Sequence, residues 1–112
     1  NVVTISSPIT GETTQIIEAK NSSEITFNEY ADIYGNTHSI SEIPYAGGLI
    51  YSQDSKFIFK GHNRFVNNLI VYANLVNTNA LSGGLIYSNN SEFEFGDNTS
   101  FSNNCAVSSS KA

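Results

Sequence analysis

The sequence predicts an all-β chain wound as a solenoid of about three coils. Three observations predict it. First, GGLIYSQDSKFIFKGHNRFVNN (Gly47 to Asn68) is written again as GGLIYSNNSEFEFGDNTSFSNN (Gly83 to Asn104), without a gap and at an offset of 83 − 47 = 36 residues. Second, KNSSEITFNEYADIYGN (Lys20 to Asn36) is a fainter copy, offset by 57 − 25 = 32 residues from the next. Third, apolar residues inside each copy alternate with polar ones at period two, and no helical spacing appears.

The chain therefore divides into residues 1–19 as an N-terminal lead-in or partial coil, 20–46 as a divergent coil, 47–82 as a coil and 83–112 as a coil. The lead-in carries no repeat signal, and the divergent coil lacks the Gly-Gly pair, with Ile16 and Ile17 near that register. Each coil is expected to hold three short strands. In SEITF, Ile25 and Phe27 point inward; Phe57 and Phe59 do so in SKFIF, and Phe93 and Phe95 in SEFEF. The second strand is LIYS, at Leu49 to Ser52 and Leu85 to Ser88. The third is centred on Phe65 or Phe101, with Ile33 as its counterpart in the first copy.

One coil cannot bury its own inward residues, so coils must stack, about 4.8 Å apart, into a ladder core. The core ladders are then Ile25–Phe57–Phe93 and Phe27–Phe59–Phe95. Asn36, Asn68 and Asn104 fall where the chain bends. Asn tolerates left-handed backbone, and its amide can bond the next Asn above and below. The glycine pairs Gly47-Gly48 and Gly83-Gly84 allow a tight bend. Outward charges stack with alternating sign as Glu24, Lys56 and Glu92. Between the coils lie variable loops. The longer one contains the apolar stretch LIVYANLV, and Leu69, Ile70, Val71, Tyr72, Leu75 and Val76 are its candidate interaction residues. That stretch either extends the strand after Asn68 and packs on the coil, or presents a patch to a partner.

Composition narrows the function. Formal net charge is 5 − 10 = −5, and charged residues are only 13 % of the chain. Nucleic acid is an unsuitable partner, because neutralising phosphates needs a basic face. The 15 Asn, 16 Ser and 8 Thr, with Phe, Ile, Tyr and Val as the apolar set, suit β-structure. No apolar run reaches the ~20 residues of a membrane span, so no membrane insertion by this segment is expected. The single cysteine, Cys105, makes no intrachain disulfide and no Cys-based zinc site, and is expected to be a small buried hydrophobe. The chain starts at Asn1 without Met, as a processed or trimmed product would.

The paired motifs resemble a known repeat. Gly47, Gly48, Leu49 and Ile50 with Phe65 and Asn68, and Gly83, Gly84, Leu85 and Ile86 with Phe101 and Asn104, match Gly-Gly-small-Ile followed by Phe-x-x-Asn. This resembles the repeat of the chlamydial polymorphic membrane proteins, which also occurs in other bacterial surface proteins. The family usually has Ala where this chain has Leu49 and Leu85, and the first copy has Ile33 in place of the phenylalanine. The resemblance implies a right-handed parallel β-helix of pectate-lyase type. It also implies an autotransporter passenger on the bacterial outer-membrane surface, linked to adhesion to host cells. The partners so implied are a host-cell receptor or another protein or glycan.

The residues with the side-chain types for lyase chemistry are Asp54, Lys60, His62, Arg64 and Asp97. Lys60, His62 and Arg64 share one coil, but Gly96, Asn98 and Ser100 replace them in the next, and no carboxylate pair is spaced for glycoside hydrolysis. His38 is read as a polar-loop residue. Gly96-Asp97-Asn98 lacks the Asp-rich spacing of calcium repeats. The chain is read as non-enzymatic, without metal or cofactor. The sequons at Asn21, Asn89 and Asn98 are expected by chance in so Asn- and Ser-rich a chain. Two alternatives stand beside adhesion. One is a structural subunit that self-associates end to end into a fibre, because open coil ends expose strand edges. The other is a polysaccharide-binding or lyase-like domain.

Overall fold

A computed structural model describes residues 1–40, 48–75 and 85–110. The described residues form strands and turns with no helix, and every strand pairing is parallel. Four separate sheets result. One contains β1 (Val2–Ile5), β4 (Glu24–Phe27), β8 (Lys56–Phe59) and β12 (Glu92–Phe95). A second contains β2 (Ile9–Thr10), β5 (Ile33–Tyr34), β9 (Arg64–Val66) and β13 (Ser100–Ser102). A third contains β6 (Thr37–Ile40), β10 (Leu69–Leu75) and β14 (Cys105–Ser110). The fourth contains β3 (Ile17–Ala19), β7 (Ile50–Gln53) and β11 (Ile86–Asn89). From β3 onward the chain visits the four sheets in the same order three times.

The register follows the sequence repeat. Ile25 faces Phe57 and Phe57 faces Phe93; Phe27 faces Phe59 and Phe59 faces Phe95. Ile33 faces Phe65, and Phe65 faces Phe101. The rings stack accordingly: Phe27 on Phe59 at 4.6 Å, Phe57 on Phe93 at 4.9 Å, Phe59 on Phe95 at 5.2 Å and Phe65 on Phe101 at 4.5 Å. Phe27, Phe57, Phe59 and Phe65 are buried, with Ile25 and Ile33 beside them. Phe93 is half-buried, while Phe95 and Phe101 remain 45 % and 48 % exposed. They occupy the last described rung of their stacks, with a ring on one side only. The lead-in contributes its own rung, with Val3 opposite Ile25, Ile5 opposite Phe27 and Ile9 opposite Ile33.

Four strands per repeat occur where three were expected. The additional strand is the stretch after each bend Asn: β6, β10 and β14. Leu69, Ile70, Val71, Tyr72 and Leu75, read from the sequence either as a strand extension after Asn68 or as an interaction loop, form β10, the middle strand of its sheet; Val76 lies outside the described residues. Ile70 and Tyr72 are buried, because alternation turns them into the core. Leu69 and Val71 turn outward and stay half-exposed. Burial also raises the Tyr72 phenol above its ordinary pKa, since the phenolate would lose its hydration. His38, expected in a loop, is half-buried in β6 with Nδ1 3.2 Å from the Gly48 carbonyl oxygen. Cys105, expected inside, is exposed. It shares the outward register of Thr37 and Leu69 at the edge of that sheet.

The bends are built from repeated backbone geometry. Asn36, Asn68 and Asn104 form a hydrogen-bonded column: Asn36 Nδ2 donates to Asn68 Oδ1 at 3.0 Å, and Asn68 Nδ2 to Asn104 Oδ1 at 2.8 Å. Each Oδ1 also accepts a backbone N–H from the preceding coil: Glu12 on Asn36, Asn36 on Asn68, and Asn68 on Asn104. Left-handed φ does not fall on these residues, as expected from the sequence, but on the one before each: Gly35, Asn67 and Asn103. A second column, Ser23–Ser55–Ser91, lies at another bend. The Ser55 hydroxyl oxygen accepts from the Ser23 amide at 3.3 Å, and that of Ser91 from the Ser55 amide at 3.2 Å.

The divergent coil has one extra residue here. Ala19 faces Ser52 at an offset of 33, yet Glu24 faces Lys56 at 32. The bend absorbs it with two left-handed residues, Asn21 and Ser22, where the later coils use Asp54 or Asn90 alone.

Of the glycine pairs, Gly48 is buried, and Gly47, Gly83 and Gly84 lie outside the described residues. The leucines after them have a clear role. The Leu49 carbonyl accepts the amides of Ile16 and Ile17, at 2.9 and 3.2 Å, and the Leu85 carbonyl accepts those of Leu49 and Ile50, at 2.9 and 3.3 Å. Gly96 is needed for close approach. A Cβ there would collide with the Lys60 carbonyl and lie 2.8 Å from the Phe59 carbonyl oxygen.

Candidate functional site

The repeated residues Leu49, Ile50, Phe65 and Asn68 are buried, so they cannot meet a large partner directly. Leu85 and Ile86 are half-buried; Phe101 and Asn104 are open only on their uncovered side. The outward positions are therefore the candidate functional surface. They differ from coil to coil in the sequence, as Lys56 and Glu92 or Arg64 and Ser100 show.

Lys56 lies in register between Glu24 and Glu92, as the sequence predicts. Its ammonium bonds Glu94 diagonally at 3.2 Å, however, and not the carboxylates directly opposite. That hydrogen bond, with the negative charges of Glu92 and Glu94, raises the Lys56 pKa. On the β3–β7–β11 sheet, Tyr51 stacks on Tyr87 at 4.8 Å, and the Lys20 ammonium sits 5.6 Å from the Tyr51 ring centre. An open polar groove of about 740 Å³ runs along the serine column, lined in part by Glu24, Asp54, Lys56 and Asn90. Asn90 Nδ2 donates to Asp54 Oδ1 across it, at 2.6 Å.

The structure gathers His62 and Arg64 with residues from the flanking coils. Tyr30, His62 and Asn98 share one bend position, all with left-handed φ. The Tyr30 ring stacks on His62 at 5.2 Å and is 65 % exposed. Arg64 extends beside them and is fixed by Asp32. Its Nη2 and Nε donate to Asp32 Oδ2 at 2.9 and 3.3 Å, and its backbone N–H donates to Oδ1 at 2.9 Å. Asp32 is buried, so this pair is more ordered than an ordinary surface ion pair. The carboxylate also holds the guanidinium pKa above its usual value. Two clefts of about 300 Å³ flank Arg64. One is lined by Tyr30, His62, Arg64, Asn98 and Ser100, the other by Pro8, Asp32, Tyr34, Arg64, Val66 and Asn67.

The remaining chemical candidates do not converge. Asp54 and Asp97 occupy different bends, and Asp97 meets the His62 amide only through its backbone carbonyl. Among the described residues, no group of three or more His, Cys, Asp and Glu side chains is placed to hold a metal ion. No helix among them is long and apolar enough to cross a membrane. Sequence reasoning missed Tyr30, Tyr34 and Asp32. The offset of 32 was the available signal, since it brings Tyr30 to His62 and Asp32 to Arg64.

Tyr30 is the unusual residue of this face. Of the nine non-glycine residues with positive φ among the described residues, seven are Asn, Asp or Ser. His62 is the eighth, and His is also enriched there. A bulky Tyr in this region costs about 1–2 kcal/mol of backbone strain. Stacking of its exposed ring on His62 offsets about 0.5–1.5 kcal/mol of that. Compared with known proteins, the chain matches no family model, no curated protein and no solved structure.

Proposed function

We propose that this chain is a segment of a right-handed parallel β-helix that acts in adhesion at a bacterial cell surface. In this reading the segment is non-enzymatic and displays its outer face to a host-cell receptor, a protein or a glycan. One observation carries it: in three of the four sheets the repeated residues make the stacked interior, while most outward positions vary between coils. A scaffold whose core is fixed and whose outer face is free to change suits recognition. The four parallel sheets, visited in one repeating order, support the winding. The resemblance of the paired Gly-Gly and Phe-x-x-Asn motifs to bacterial surface proteins supports the location. The guanidinium of Arg64 is engaged by Asp32, which argues against its use as a lyase base.

The test is direct. Beads coated with the folded chain should adhere to cultured epithelial cells, and free chain should compete. Leu69→Ser and Val71→Ser alter outward positions of β10 and should leave the fold intact while mapping that face. Adhesion no greater than that of beads carrying heat-unfolded chain would remove the reading. A second reading, end-to-end stacking into a fibre, is favoured by the exposed Phe95 and Phe101 and is tested by the particle size of the pure chain against concentration.

A further inference from the structure

We propose that the outward face around Tyr30, His62 and Arg64 is a binding subsite for a neutral saccharide. The inference rests on the adhesion reading, for which it names the ligand class. Tyr30 supplies a flat, exposed ring at a bend where the backbone favours Asn, as in Asn98 of the following coil. The ring is kept there against backbone preference and without burial, so its use lies on the solvent side. A pyranose offers an apolar C–H face and a rim of hydroxyls. The Tyr30 ring matches the first. The Arg64 guanidinium, the Asn98 amide and the Ser100 hydroxyl, all lining the same cleft, match the second.

The donors are placed in advance. Asp32 holds Arg64 at 2.9 Å, so little freedom is lost when a ligand binds. The second cleft, beyond Arg64, offers the exposed Tyr34 ring and Asn67. The two clefts share Arg64 as a wall, which suits adjoining sugars of one chain. Their size is at the lower end of small-ligand pockets, as expected for one ring each.

Charge selects a neutral ligand. Among the residues lining the two clefts, the only Lys, Arg, Asp or Glu are Arg64 and Asp32, and they are paired with each other. An acidic sugar would find no uncompensated arginine or lysine there, because the Arg64 charge is already engaged by Asp32.

Titration calorimetry of the full chain with chitotriose, cellotriose and N-acetyllactosamine, beside trigalacturonate and 3′-sialyllactose, tests this. Tyr30→Asn is the informative variant, because Asn98 shows that Asn fits the same bend. It should melt at the same temperature or higher, yet bind the neutral sugar at least about tenfold more weakly. Arg64→Gln should weaken binding also. Binding of acidic sugars only, no binding of any neutral sugar, or undiminished binding by Tyr30→Asn would each overturn the proposal. Cell adhesion by the same samples separates the two readings. Adhesion without saccharide binding overturns the subsite and leaves adhesion standing. Saccharide binding without adhesion does the reverse.

Discussion

At the scale of the residue, the asparagine column shows how a repeated letter becomes a structural device. Asn68 accepts from Asn36 twice, donates to the Ile33 carbonyl and to Asn104 Oδ1, and is buried. Asn68→Ala would take a partner from the Asn36 backbone amide, from the Ile33 carbonyl and from the Asn36 side-chain amide, which keeps only the Ile9 carbonyl, in a dry site. At about 1–3 kcal/mol for each stranded group, less what relaxation recovers, the loss should be about 3 kcal/mol. Asn104, half-buried at the last rung, should cost about 1 kcal/mol on the same change. Urea unfolding of both variants checks the ratio, and equal losses would show that stacking adds nothing. The column itself was legible in the sequence, because an offset of 32 or 36 aligns the three residues. The residue carrying left-handed φ was not legible. Two coils read Asn-Asn at this point, and either Asn tolerates the geometry. Only Gly35, before Asn36, marked the first of the two positions. Tyr30 was hidden for the opposite reason: residue preference points away from a bulky ring at positive φ.

At the scale of the element, three of the four strands in each repeat were readable, and the fourth was readable only after Asn68, as one of two alternatives. β4, β8 and β12 keep the same inward aromatic or aliphatic residues, so period and register both appear in the letters. β6, β10 and β14 read THSI, LIVYANL and CAVSSS, which share a single letter in register, Val71 opposite Val107. Their common property is backbone pairing, which side-chain patterns do not report. β10 is the strand whose inward face can be tested by pH. Tyr72 is buried on it, and burial raises its phenol above the ordinary value of 10.0. Above about pH 10 the unfolded chain therefore releases this proton while the folded chain keeps it. The unfolded state then binds fewer protons, so stability falls as pH rises through that range. Lys56, raised above 10.5 by Glu94 and Glu92, acts in the same direction. Unfolding measured between pH 8 and about pH 11 should show this decline, and Tyr72→Phe should flatten it. The slope is the readout, because Phe also changes the absolute stability. An unchanged slope would mean that Tyr72 ionises freely and that β10 does not hold its ring inside.

At the scale of the whole molecule, stability should depend on the rung a residue occupies. In a stack, each layer contributes through its nearest neighbours. Phe59 lies between Phe27 and Phe95, at 4.6 and 5.2 Å, with the edge of Phe65 at 5.3 Å. Phe95 has Phe59 on one side only, with the edge of Phe101 at 5.6 Å, and is 45 % exposed. The same Phe→Ala change is thus a comparison at fixed chemistry. Phe59→Ala should cost about 3–5 kcal/mol, the range for a buried ring that leaves a cavity. Phe95→Ala should cost about half as much, because water already reaches the ring and no closed cavity forms. Denaturant unfolding at low protein concentration gives both values. If the two losses are equal, something covers the outer face of Phe95 in solution. A second copy stacked on that rung would then make the cost of Phe95→Ala grow with protein concentration, while the cost of Phe59→Ala stayed constant. If the expected ratio holds at every concentration, the exposed rung is open in solution and no second copy is stacked on it.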